Sequence, residues 1–214
     1  MDKYLSIITN FGCHYECPYC IVKNTNIKVP KTTYEGLNKL ITEVERNKCN
    51  IISVSGGGDP LYKFPENICW WARLFAIANA YEIPVEVHTT YFDAMYTAMI
   101  AEECYRMVYH LRSIEDLEKI ERFSNEIVRV VYVVTDDMTE EDIRTIAEFV
   151  KNSDIIDELS FRQRVKPDLS SSYHLHDFLK EGHQKEWWYI EQCDYNIYYA
   201  ENKVYERYSD FREE

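Results

Sequence analysis

The segment Cys13-His14-Tyr15-Glu16-Cys17-Pro18-Tyr19-Cys20 gathers three of the chain's 7 cysteines into one short stretch. Their spacing, C-x3-C-x2-C, sets three soft thiolates on a single loop, where they can wrap one face of an iron–sulfur cube. No fourth protein ligand follows nearby, so the fourth iron of such a cube would stay open to an exogenous ligand. Zinc is the competing reading of the same cysteines. Structural zinc sites close with four ligands and usually pair two short spacings. His14 could complete a set, but it adjoins Cys13, and sequence neighbours chelate one ion awkwardly. Cys49, Cys69, Cys104 and Cys193 are scattered and are expected to be buried small hydrophobes. The cysteine count is odd, and the first segment, MDKYLSIITNFGC, reads as a buried strand rather than an export signal. A disulfide framework is therefore not expected.

Four other places carry residue types suited to chemistry. Ser55-Gly56-Gly57-Gly58-Asp59-Pro60 follows a β-branched stretch. Glycines let the backbone approach a ligand and adopt positive φ. Their carbonyls and the Asp59 carboxylate can accept hydrogen bonds from an ammonium group. An ordinary glycine-rich turn from strand to helix would look the same. His88-Thr89-Thr90 ends one later apolar stretch, and His110, followed by Arg112 and Ser113, ends another. His110 is either a ligand contact or a satisfied core histidine. Ser160, Arg162 and Arg164 share one face of a strand-like segment, with Phe161 and Gln163 on the other. An arginine inside a barrel mouth suits a carboxylate or phosphate, and its burial without an anion is costly. An ion pair with one of the 37 acidic residues would satisfy Arg162 equally.

The elements that must position these residues alternate between strand and helix. Strands are predicted at 4–9, 50–55, 84–89, 106–111, 127–134 and 157–164. Helices are predicted at 33–47 (capped by Thr32 or Thr33), 66–81, 92–103, 113–123 and 139–152. Ser113 would cap the fourth of these, with Asp116 at its capping-box position. Thr139 would cap the fifth, with acidic residues in the first turn. Residues 174–191 read as mostly helical, and 194–208 as a hairpin turning near Glu201 and Asn202. Six strands alternating with helices imply a parallel sheet of βα units. A closed eight-stranded barrel needs about 250 residues, and this chain has 214. The expectation is therefore α/β: an open partial (βα)6 barrel whose C-terminal helix and β-hairpin close one side. Residues 1–166 would form the core and 167–214 an extension of the same domain. Ligands in such sheets bind at the carboxyl ends of strands, where the motifs fall.

The C-x3-C-x2-C spacing, with aromatic Tyr19 before the last cysteine, resembles the signature of the radical SAM superfamily. Gly57-Gly58-Asp59-Pro60 resembles that family's G-G-E-P motif, with a carboxylate one methylene shorter. The resemblance covers residues ~4 to ~165, by motif in the first sixty residues and by topology afterwards. It implies a 4Fe-4S cluster on Cys13, Cys17 and Cys20. The unique iron would be chelated by the amino and carboxylate groups of S-adenosylmethionine (SAM). Reductive cleavage of SAM would give a 5′-deoxyadenosyl radical that abstracts hydrogen from a substrate. Tyr19 would lie near adenine, and Gly56, Gly57, Gly58 and Asp59 near the SAM ammonium. His88 and Thr90 stand where the family often places a polar motif near SAM. His110 would reach the ribose or carboxylate. Val133, or Val131, would lie against adenine or be plain core. Arg162 would meet the SAM carboxylate or an anionic substrate.

Net charge is −13 with 24 basic residues, which does not suit binding of a nucleic-acid polymer. No apolar run reaches the ~20 residues of a membrane span. The tail after 167 is rich in aromatic residues and histidine, among them Tyr173, Trp187, Trp188, Tyr195 and Tyr208. These rings could stack a nucleobase or simply pack. The reading is a cytoplasmic enzyme, monomer or dimer, acting on a small polar substrate such as a nucleoside, nucleotide or modified base. Its electrons would come from a flavodoxin- or ferredoxin-type reductant. The alternatives are an activase that places a glycyl radical on a partner protein, and a non-catalytic iron–sulfur redox or sensor protein.

Overall fold

The computed structural model describes residues 2–25, 27–191 and 196–211. Six strands run parallel as neighbours in chain order: β1 (Tyr4–Ile8), β2 (Ile51–Ser55), β3 (Val85–Thr89), β4 (Arg106–Leu111), β5 (Ile127–Val134) and β6 (Glu158–Gln163). Three more, β7 (Trp188–Ile190), β8 (Ile197–Ala200) and β9 (Lys203–Tyr205), extend the sheet to nine, ordered β7-β6-β5-β4-β3-β2-β1-β8-β9. The fold is the expected open α/β sheet, and it does not close, because β7 and β9 are its two edges. The hairpin of β8 and β9 turns at Glu201, whose φ is 57°. It lies beside β1, to which β8 pairs in parallel.

Strand alternation sorts the side chains. Leu5, Ile7, Ile52, Val54, Val87, Met107, Tyr109, Val130 and Phe161 all enter one apolar core with the helices α2 (Leu40–Asn47), α3 (Phe64–Ala80), α4 (Ala94–Ala101) and α5 (Glu140–Lys151). Their alternate neighbours are largely polar: Ser6, Ser53, Glu86, His88, Arg106, His110, Arg129, Glu158, Ser160 and Arg162. One face of the sheet is thus a conventional hydrophobic core and the other is built for polar contacts. A smaller cluster of Ile8, Ile27, Val29, Tyr198, Tyr208 and Phe211 covers the second face beside β1 and β8.

Several local expectations are corrected. The predicted helix at 33–47 begins as a tight 3-10 turn, Glu35–Lys39, before α2; Thr33 Oγ1 still accepts the Gly36 N–H at 3.1 Å. The predicted helix at 113–123 is only a 3-10 turn, Ile114–Lys119, and the Ser113 side chain makes no cap bond. Asp116 instead accepts from the Arg112 N–H at 3.0 Å and from Lys119 Nζ at 2.6 Å. At 139–152 the expected cap is present, and Thr139 and Asp142 close a full capping box.

The predicted helix over 174–191 is the largest departure. Only α6 (His176–Gly182) forms. Trp187 and Tyr189 bury their rings while Trp188 faces solvent, a period of two that continues the sheet as β7. Gly182 has no side chain to oppose the Trp187 ring packed on it, and Trp187 Nε1 donates to Leu179 O at 2.8 Å. A short helix, α1 (Ile21–Thr25), was not expected and follows Cys20 directly. Cys49 and Cys104 are buried as expected, whereas Cys69 is exposed on the outer side of α3 next to exposed Ile68. Cys193, Tyr195 and the start of the predicted hairpin at 194 lie outside the described residues. No described helix is long and apolar enough to cross a membrane.

Candidate functional site

A cavity of about 410 Å³ opens at the carboxyl ends of the strands, on the polar side of the sheet. Thirteen residues singled out in the sequence line it, Cys13, Cys17, Tyr19 and Cys20, then Gly56, Gly57, Gly58 and Asp59, then His88, Thr90, His110, Val133 and Arg162, whereas Val131, Ser160 and Arg164 do not.

The cysteine loop leaves β1 through Asn10 and Gly12, both at positive φ. Cys17 O accepts the Cys20 N–H at 3.1 Å, a turn that starts α1 immediately after the third cysteine. Cys13 is exposed, and Cys17 and Cys20 are half-buried. Burial, with the neighbouring Cys13 and Cys20, pushes the Cys17 thiol up, against a hydrogen bond from the Tyr19 hydroxyl. Tyr19 therefore touches a cysteine of the loop, a contact the sequence reading did not foresee. Two further contacts pin this loop. The His14 ring stacks on Tyr91 at 3.9 Å between centroids, and the Arg112 guanidinium lies 3.7 Å from the centre of the Tyr15 ring. Among the described residues no three His, Cys, Asp or Glu side chains converge on a single metal ion. The thiolates of an iron–sulfur cube stand farther apart than ligands of one ion, because each binds a different iron.

The glycine loop after β2 locks onto the cysteine loop. Asp59 N donates to Gly12 O at 2.7 Å. A Cβ on Gly58 would clash with that same Gly12 carbonyl. Gly56 and Gly57 sit at φ 76° and 72°, a region open to glycine. Gly57 and Gly58 are thus required first by packing against Asn10 and Gly12, which lead into the cysteine loop, and Gly56 by packing against Ile8 of β1.

Asp59 is only 3% exposed, and its carboxylate is already engaged by the chain. It accepts from Leu61 N at 2.9 Å, Thr89 Oγ1 at 2.9 Å, and Thr90 N and Oγ1 at 2.7 Å each. The shorter side chain of Asp59 keeps the carboxylate inside the loop, where it orients Thr89 and Thr90.

Below the cavity mouth lies a chain of polar groups. His110 Nε2 is 2.8 Å from His88 Nδ1, and His88 Nε2 is 2.9 Å from Glu86 Oε1. Glu86 Oε2 receives Arg106 at 3.0 Å; Arg106 also pairs with Glu158, which pairs with Arg129. Burial alone would raise the Glu86 carboxyl, but hydrogen bonds and charge from His88 and Arg106 outweigh it and bring it to about 2. Burial, then His88 and Arg162, push His110 well below the usual histidine range, with Glu86 opposing. Val133 and Arg162 are register partners on adjacent strands and line the cavity side by side. Arg164 pairs instead with Asp136 at 3.2 Å.

Sequence reasoning missed Gly12, Glu86, Arg106 and Asn196, and offered Tyr208 only as one of many aromatic residues of the tail. Glu86 and His88 were visible as two polar residues at strand spacing in Pro84-Val85-Glu86-Val87-His88-Thr89, a pattern wrong for a strand buried on two apolar faces. Nothing local marks Asn196, which reaches the site only because β8 joins β1 and whose Nδ2 donates to Ser6 Oγ at 3.0 Å.

No family model and no curated protein matches the chain. Solved structures do. The crystal structure of Streptococcus suis SuiB bound to S-adenosylmethionine superposes with a TM-score of 0.59 at 16% identity, over 90% of this chain and 48% of that one. A radical SAM methyltransferase from Sphaerobacter thermophilus superposes at 0.60 with 12% identity, over 87% of this chain and 64% of that one. The chain therefore spans between about half and two thirds of these proteins. At such identities the likeness is one of fold.

Proposed function

We propose that this chain is a radical SAM enzyme that acts on a small polar substrate. The observation that carries the reading is the interlock at one cavity mouth: the Cys13-Cys17-Cys20 loop and the Gly57-Gly58-Asp59-Pro60 loop, from successive strands, joined by Asp59 N to Gly12 O. The residues present fit a 4Fe-4S cluster and SAM. Three clustered thiols, one of them held protonated by burial and by its neighbours, are what a cationic centre turns into ligands. When bound, the cluster would take an electron from a flavodoxin- or ferredoxin-type reductant and cleave SAM, so that the deoxyadenosyl radical removes hydrogen from the substrate.

The chain's own residues divide the remaining work. Tyr19 donates to Cys17 and steadies the loop turn. The backbone carbonyls of Gly56–Gly58 and the Thr90 hydroxyl, held by Asp59, are acceptors for an ammonium group. Arg162 supplies the positive charge for a carboxylate, next to the apolar surface of Val133. Ser6, Asn196 and Tyr208, on the β1 and β8 side, leave a neutral polar wall for the substrate.

The test is anaerobic reconstitution with iron and sulfide, reduction with dithionite, and assay of 5′-deoxyadenosine from SAM. Slow uncoupled formation is expected. A properly formed cluster with no product would remove the radical reading. Cys17→Ala is expected to abolish the cluster, and a retained 4Fe-4S signal would contradict the ligand assignment.

A further inference from the structure

We propose that Glu86, acting through His88, fixes His110 as the proton acceptor of this cavity, so that the ligand atom meeting the ring carries an O–H or N–H. The inference rests on the reading of the cavity as the site of SAM and substrate, and it adds a role that no part of the cluster or SAM motif supplies.

The order of protons follows from the one group that can only accept. Arg106 sits on Glu86 Oε2 and holds the carboxylate ionised, so Oε1 must accept from His88 Nε2–H. In the neutral ring His88 Nδ1 is then bare and accepts from His110 Nε2–H across 2.8 Å. The remaining nitrogen of His110, Nδ1, is bare in turn. A single histidine here would have to hold a new positive charge facing Arg162. The pair avoids that placement. A proton leaving a ligand O–H or N–H forms the His110 Nδ1–H bond, and the His110 Nε2 proton passes to His88 Nδ1. The ligand keeps the bonding electron pair. The positive charge comes to rest on His88, against the Glu86 carboxylate, and His110 ends neutral. A carboxylate that orients an imidazole and stabilises its cation works in this way in hydrolytic triads. Of the charged or titratable groups, Glu86 from β3 and Arg162 from β6 face the pair, and behind Glu86 stand Tyr4 from β1, Arg106 from β4, Arg129 from β5 and Glu158 from β6.

Glu86 is here a positioning residue, and its test reads proton location rather than turnover. The full chain, labelled with 15N-histidine and without added cluster, is examined by long-range 1H–15N correlation at neutral pH. Both His88 and His110 are expected as neutral rings protonated at Nε2 with Nδ1 bare. A proton on His110 Nδ1, or a cationic His110, overturns the proposal. In Glu86→Gln, Arg106 takes the amide oxygen and turns the NH2 toward His88 Nε2, which must then accept. The expected result is inversion of both rings to the Nδ1–H form. An unchanged tautomer at His110 in a folded variant refutes control by Glu86. The wild-type spectrum decides the proton order even if the variant fails to fold. Failure of either outcome leaves the 5′-deoxyadenosine assay untouched, so the two readings fail separately.

Discussion

Gly58→Ala is the most direct probe of how the two loops are joined. The φ of Gly58 is not in the left-handed region, so alanine brings no backbone strain of its own. The damage comes from contact. The new Cβ would lie 2.8 Å from Gly12 C and 3.1 Å from Gly12 N, and closer still to the carbonyl oxygen. All three are backbone atoms, so no side chain can swing aside. The loops must separate by about 1 Å to restore van der Waals distance. That movement breaks the 2.7 Å bond from Asp59 N to Gly12 O. Overpacking costs about 1–3 kcal/mol, and the lost hydrogen bond about 0.5–1.5 kcal/mol. Together they predict about 1.5–4.5 kcal/mol, or a fall in Tm of about 3–18 °C for a chain of this size. Thermal denaturation of the protein without cluster reads this directly. Reconstitution should then show a weakened 4Fe-4S absorbance, because Cys13 follows Gly12 in the chain. A Tm within about 1 °C of wild type, together with full cluster content, would refute the claim that Gly58 is glycine in order to seat the cysteine loop.

Two further outcomes follow from the buried carboxylates. In Asp59→Asn, one oxygen accepts Leu61 N and the other Thr90 N, so the amide nitrogen must face a backbone N–H whichever way it turns. The expected loss is about 1–3 kcal/mol in urea denaturation, and an unmoved midpoint would show the carboxylate to be dispensable for Thr90. Glu86 is held at about 2 against an ordinary value of 4.5, so its ion pair contributes stability that is complete above about 4.5 and is lost as pH falls through about 2. The stability difference between wild type and Glu86→Gln should shrink over that window; a difference independent of pH would contradict an ionised Glu86.

Much of the lining of the candidate site was legible in the sequence, and for a physical reason. A loop that carries cysteines at C-x3-C-x2-C, or three glycines before an aspartate, is constrained by chemistry local to a few residues. Strand and helix alternation then fixes which ends of the sheet carry such loops. Cys13, Cys17, Cys20, Gly56–Asp59, His88, Thr90, His110, Val133 and Arg162 all reached one cavity because each ends a parallel strand at the same edge.

Three things were decided only by the tertiary structure. The Asp59 carboxylate takes its side-chain partners from Thr89 and Thr90 at the end of β3, a contact across 30–31 residues of sequence that nothing local announces. The tail read as helix, but the Trp187 ring packs edge-on against Phe161 of β6 and Tyr189 pairs with the same residue, and burial of large rings outweighs helical propensity. The polar chain from His110 to Arg106 was invisible as a unit. A strand's sequence shows which residues share a face. It does not show which residue of the neighbouring strand lies opposite, and register is what sets Glu86 opposite Arg106 and His88 opposite Val108, one diagonal step from the His110 ring that it meets.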